Sequence, residues 1–184
     1  MIAWHFHNGI SLRDGTAIPA VGEWLEFHGE LQPGRAGLHA CARLADALHF
    51  ARGTMLCQVE LAGQIVDAGD KVVATKRRIL RQAEARQWME GCFNALFRNY
   101  IPAACEGPAK DWVDRANRIQ RLGRVTARLS DAIDCLAKAH ARAAFAAMPV
   151  EFNLYEYFAE EDRQWQFLST CLEHEAQKFL YETN

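Results

Sequence analysis

Apolar positions in this chain change their period near residue 75. Before that point they recur at every second residue in short runs, and after it every three or four residues. Ile2 to Phe6 reads as a first strand, and Trp24 to His28, bounded by Gly22 and Gly29, as a second. The Arg13-Asp14-Gly15 turn and Pro19 separate them, and Pro33 to Gly37 breaks the chain again. Leu44, Ala47, Leu48 and Ala51 then keep the spacing of a short helix, which Gly53 is placed to stop in a left-handed cap. Met55, Cys57, Val59 and Leu61 alternate with Leu56, Gln58 and Glu60, predicting a strand with one apolar and one mixed face. A further strand is expected from Gln64 to Asp67, followed by a turn at Gly69-Asp70 into Lys71 to Ala74.

From Thr75, a possible N-cap, the stripe Ile79, Leu80, Ala83, Met89, Phe93, Leu96 and Tyr100 predicts a long helix ended by Pro102. Further helices are expected from near Asp111, from about Ser130 into Pro149, and from about Glu160 to Tyr181. The last opens with acidic residues at the positive end of its dipole. The expected fold is therefore α+β: a β-rich N-terminal unit over residues 1–75 with a short helix, packed against an all-helical bundle over residues 76–184. A Ser/Gly/Pro linker between the two is lacking, which predicts rigid packing.

Half of the 184 residues are apolar, enough for a packed core without staples. The net charge of -2 argues against nucleic acid or an anionic membrane as partner. The densest basic patch, Lys76, Arg77, Arg78 and Arg81, and the stripe Arg115, Arg118, Arg121, Arg124 and Arg128 read as solvated helix faces. An export signal and a run long enough to span a bilayer are both lacking, so a cytoplasmic location is expected. The six cysteines stand singly, which fits reduced thiols better than disulfides or a zinc ribbon.

Gly37-Leu38-His39-Ala40-Cys41, Asp46-Ala47-Leu48, Phe50 to Gly53, Val59 to Gly63 and Asp70 to Ala74 form an ordered set of motifs. In these the chain resembles a widespread uncharacterised family of small proteins from phages, prophages and bacteria. The resemblance covers roughly residues 1–80 and implies a phage or mobile-element setting and a β-rich fold, with no known activity.

A looser resemblance is to ADP-ribosyltransferase-like folds, with Trp4-His5-Phe6, Gly37-Leu38-His39, the helix through Ala47 to Ala51 and Glu60 as the matching parts. That resemblance implies NAD as cofactor and His5, His39 and Glu60 as catalytic residues, a carboxylate stabilising the sugar cation as the glycosidic bond breaks. Against it stands the ordinary role of such residues in strands and turns. His39, following a Gly-Leu turn, is equally suited to lock that turn to a neighbouring backbone group. His28 and His49 are further acid–base candidates with the same structural alternative. His5 and His7 share a face if Ile2 to His7 is a strand, and with His39 and Cys41 would make four zinc donors. These are two unrelated pairs, so no metal site is expected.

The segment Glu151 to Phe158 is aromatic and lies between two expected helices. Tyr155, Tyr157 and Phe158, near Glu160 and Glu161, suit either core packing or a protein interface with carboxylates at its rim. The favoured reading is a non-enzymatic accessory protein of a phage or mobile element that binds a host or phage protein, such as a defence component. The alternative is the NAD-using enzyme. Self-association remains open beside both.

Overall fold

A computed structural model describes residues 1–12, 15–103, 106–119, 124–146 and 153–183 of the chain. The expected Arg13-Asp14 turn, Cys105, Arg121, Leu122, Pro149, Glu151 and Phe152 lie outside the described residues. The fold is α+β, with an antiparallel sheet in the N-terminal half and helices in the C-terminal half. The chain forms two compact units, one of Met1–Arg86 with Glu173–Asn184, the other of Gln87–Leu172.

In the first unit, β1 (Ile2–His7), β4 (Met55–Asp67) and β5 (Val72–Glu84) are successive neighbours. Two three-residue strands, β2 (Trp24–Glu26) and β3 (Leu38–Ala40), both pair with β5, at residues 76–78 and 72–74. The residue after β3, Cys41, exchanges backbone hydrogen bonds with Trp4 at 2.7 and 2.9 Å, so the outer edge of β1 meets the β3 end of the sheet. An otherwise open edge is thereby partly paired. Ala3, Ala40, Cys57, Val59, Leu61, Val72, Ala74 and Ile79 form a buried cluster of mainly small side chains. The short helix α1 (Leu44–Phe50) buries Leu44, Ala45, Ala47 and Leu48.

Three expectations are corrected here. The strands foreseen separately at Met55 to Leu61 and Gln64 to Asp67 are one strand, β4, interrupted by a bulge where Gly63 takes φ +75°. Gly53 does not cap α1 in a left-handed conformation. A Cβ there would stand 2.3 Å from the His7 carbonyl oxygen, so this glycine permits a close backbone approach. The helix foreseen from Thr75 begins only at Arg86, because 72–84 is β5. The spacing of Ile79, Leu80 and Ala83 imitates a helix stripe, but pairing from Met55↔Glu84 to Asp67↔Val72 gives both long strands their backbone partners.

The second unit holds α2 (Arg86–Asn99, from Gln87 on), α3 (Pro108–Ile119), α4 (Val125–Ala146) and α5 (Leu154–Thr183) as far as Leu172. Met89, Phe93 and Leu96 of α2, Val113 of α3, Leu129, Ile133 and Leu136 of α4 and Leu168 of α5 are buried. Arg128 on α4 pairs with Glu90 on α2 at 2.7 Å, and the Trp165 indole N–H on α5 donates to Asp134 on α4 at 2.8 Å. Helix α5 starts at Leu154, several residues before the expected Glu160, so the aromatic stretch from Leu154 is helical.

Candidate functional site

Three consecutive basic residues in a strand must divide between its two faces, since side chains alternate. On β5, Lys76 and Arg78 are matched to acids: Lys76 bonds Glu26 at 2.8 Å, and Arg78 bonds Glu60 at 2.5 Å while lying over the Trp24 ring. Arg77 between them is only 5% exposed. Its Nη1 donates to the His39 carbonyl at 2.6 Å and lies 3.5 Å from Nδ1 of His5. Arg77 was expected on a solvated helix face. The signal that could have placed it inside was the run of three bases itself, once the segment is taken as a strand.

His5 stands opposite Cys57, and Arg77 opposite Leu61; Cys57 and Leu61 alternate onto one face of β4. Burial holds the His5 imidazole well below the ordinary histidine range, with the Arg77 cation and then His7 and His39 acting in the same direction. His7 is buried, and Gly9 N–H donates to its Nδ1 at 3.0 Å, so the proton sits on Nε2, which donates to Gln82 Oε1 at 3.0 Å. Its pKa is lowered, chiefly by burial. His39 accepts the Gly34 N–H on Nε2 at 2.8 Å, and its ring also bonds the backbone of Gly37 and Gln32. Burial lowers it too, against those backbone bonds.

The structure thus brings the His5 ring and the His39 carbonyl to the same guanidinium nitrogen of Arg77 and leaves Glu60 apart. Glu60 is opposite Ile2, three residues from the position opposite His5, and so lies on the other face of β4, where Arg78 holds it. A neutral histidine with a strongly lowered pKa is a poor general base near neutrality, because proton transfer is most efficient when the pKa lies close to the working pH. These histidines serve as hydrogen-bond partners of the surrounding backbone and side chains. Among the described residues, no group of three or more His, Cys, Asp or Glu could hold a metal ion. The buried Cys41 and Cys57 thiols are both pushed up to about 12 by burial, far from the thiolate that a nucleophile needs.

In the second unit, a cleft of about 200 Å³ between α3 and α4 is lined by Arg115, Ile119, Asp131, Asp134, Cys135 and Lys138. Its charges are of both signs, and Asp134 is held by the Trp165 indole.

The first turns of α5 carry the other sequence-derived candidates. Tyr155 is 88% exposed and Phe158 55%, beside Leu154 at 57%. Tyr157 is not part of this surface. At 4% exposure it packs edge-on to Phe145 and beneath the Arg142 guanidinium, and burial, then Glu161, raises its phenol pKa. Glu160 bonds Gln164 and Arg163, and Glu161 lies 3.9 Å from Lys138. Glu156 and Asp162 are exposed and make no ion pair among the described residues. The result is an apolar and aromatic patch in an acidic setting, with no reacting group at its centre.

No described helix is long and apolar enough to cross a membrane. Residues 5–90 match the model of a family described as a domain of unknown function (DUF7666), a span that contains His5, His39, Glu60 and Arg77. Neither a curated protein nor a solved structure matches the chain.

Proposed function

We propose that this chain is a binding protein of a phage or mobile element, acting in the host cytoplasm by docking onto a host protein, with a defence component as the class of target. The carrying observation is the exposure of Leu154, Tyr155 and Phe158 together at the start of α5. Large apolar side chains grouped on a surface mark contact sites more often than scattered ones, and aromatic residues in particular are enriched at interface cores. Asp162, one turn beyond Phe158 on the same side of the helix, supplies charge at its rim. The phage setting rests on the motif resemblance across residues 1–80; the family match over residues 5–90 is to a domain of unknown function and supports only an uncharacterised family.

The test is capture from a host lysate with the wild-type chain and with Tyr155→Ala/Phe158→Ala, followed by reconstitution with the purified captured protein. The pair of substitutions is expected to abolish binding of that protein while the melting temperature is unchanged. Equal binding by both chains would rule out this surface as the docking site.

A further inference from the structure

One ring nitrogen of His5 and one of His39 each face an N–H. Gly34 N–H donates to Nε2 of His39 at 2.8 Å. Nη1 of Arg77, which can only donate, lies 3.5 Å from Nδ1 of His5 while bonding the His39 carbonyl at 2.6 Å. Both ring nitrogens are therefore acceptors, a role that a neutral imidazole fills and a protonated one does not. A proton on either sets donor against donor. The groups acting on the two rings do not offset the new charge: they are Arg77 of β5, Lys71 just ahead of β5, and His7 of β1, whose ring centroid is 6.4 Å from that of His5. Across from His5 on β4 stands the Cys57 thiol.

Strand β3 has little else to hold it. Of its three residues Leu38 and His39 are half-buried and only Ala40 is buried. Its ladder to β5 runs from Leu38↔Ala74 to Ala40↔Val72, and its tie to β1 is the Trp4 and Cys41 exchange. Strands β4 and β5, in contrast, pair from Met55↔Glu84 to Asp67↔Val72. Segments with few buried apolar contacts open at a lower free energy than the whole fold.

We propose that His5, Arg77 and His39 form an acid-sensitive latch: protonation of an imidazole releases β3 and the 32–37 loop from β5 and β1, while β1, β4 and β5 stay paired. Release leaves the outer edge of β1 at Trp4 without its Cys41 partner, so a sheet edge closed at neutral pH is opened by acid. Burial lowers the pKa of both rings in the closed form, which keeps the latch shut near neutrality. In the open form the rings regain water and their ordinary affinity for protons, so opening is favoured progressively as pH falls below about 6.5.

Hydrogen exchange of the full chain, with each amide rate divided by its intrinsic rate at the same pH, reads the latch directly. Between about pH 7 and about pH 5 the protection of the Trp4 and Cys41 amides should fall at least about tenfold more than that of the β4 and β5 ladder, a factor within reach of one histidine that regains its ordinary pKa on opening. In His5→Gln/His39→Gln both side chains can still accept an N–H and neither takes up a proton, so the difference should shrink to about threefold or less. If that double variant does not fold, His39→Gln alone should show a smaller difference than the wild-type chain. Equal loss of protection at all protected amides would overturn the proposal in favour of ordinary acid unfolding. Unchanged protection at Trp4 and Cys41, or a difference of wild-type size in the variant that folds, would overturn it as well.

Discussion

The carboxylate of Glu173 accepts the backbone N–H of Leu44 at 2.8 Å, across 129 residues of sequence. Leu44 opens α1, whose own N-cap residue, Arg43, makes no side-chain capping bond. The first amides of a helix lack intrahelical acceptors, and here a distant segment provides one. Arg43 meanwhile bonds Asp46 at 2.7 Å, and Arg81 on β5 lies 3.8 Å over the ring of Tyr181. The C-terminal turns of α5 are thus part of the first unit in chemical as well as spatial terms.

Glu173→Ala should lower stability by about 1 kcal/mol, the usual cost of a lost N-cap acceptor, and Glu173→Gln should lower it less. Burial is the main cause of the raised Glu173 pKa, against the Leu44 amide and Arg43, which lower it. A carboxyl raised in the folded state contributes stability that is present below its ordinary value of 4.5 and is lost as pH rises through the folded value. Glu173→Gln should therefore flatten the pH dependence in that window, measured by denaturant titration.

His5, His7 and His39 produce the opposite slope. All three pKa values are lowered from 6.5, so protons bind the unfolded chain first. Their contribution is complete above about pH 6.5 and is lost as pH falls towards the folded values. Each group that takes up a proton only on unfolding adds up to about 1.4 kcal/mol per pH unit to the slope. Chemical denaturation from pH 7.5 down to about 5.5 should show that loss, and His7→Gln should reduce it, by at most about one proton's worth.

His39→Ala should cost about 0.5–1.5 kcal/mol, the net value of an ordinary hydrogen bond, since the Gly34 amide can turn to water. Partner binding by the folded variant should be unaffected. Loss of binding at an unchanged melting temperature would show that His39 does more than hold its loop.

Gly53→Ala should be far more damaging than Gly69→Ala. A Cβ at Gly53 meets the backbone of His7 and Asn8 at 2.3 and 2.4 Å, and backbone cannot turn aside. Gly69 has open space and pays only for its φ of +85°, about 1–2 kcal/mol. Comparing the two melting temperatures separates close approach from conformational strain.

Millimolar NAD should leave the melting temperature unchanged, because His5 and Glu60 lie on opposite faces of β4 and do not form one site. A saturable shift would require a different arrangement of binding residues and would reopen the enzymatic reading.

Local periodicity was enough to reveal β1, the start of β4, α1 and the turn at Gly69, because each has its signal within a few residues. It failed at β5, where the decisive partners are β4 and β2 and where Lys76, Arg77 and Arg78 could be read as one solvated helix face. The exposure of Tyr155 and Phe158 beside the buried Tyr157 was equally illegible, since three neighbouring aromatics are sorted only by what packs against them. His39 as a turn lock was readable from its place after Gly37-Leu38. Glu173 as a cap was not, because nothing within a helix of 30 residues marks the amide that one carboxylate will reach.

The first unit is discontinuous, and that has a consequence for how it is made. Residues 1–86 leave the ribosome first, but α1 cannot receive its acceptor until residues 173–184 have been translated. At about 5–20 residues per second, synthesis of the intervening stretch takes roughly 4–17 s. During that delay the nascent sheet has its strand pairing and its own buried cluster but not the contacts of Glu173 and Tyr181, and a synonymous change in translation speed between the two segments would alter how long it waits.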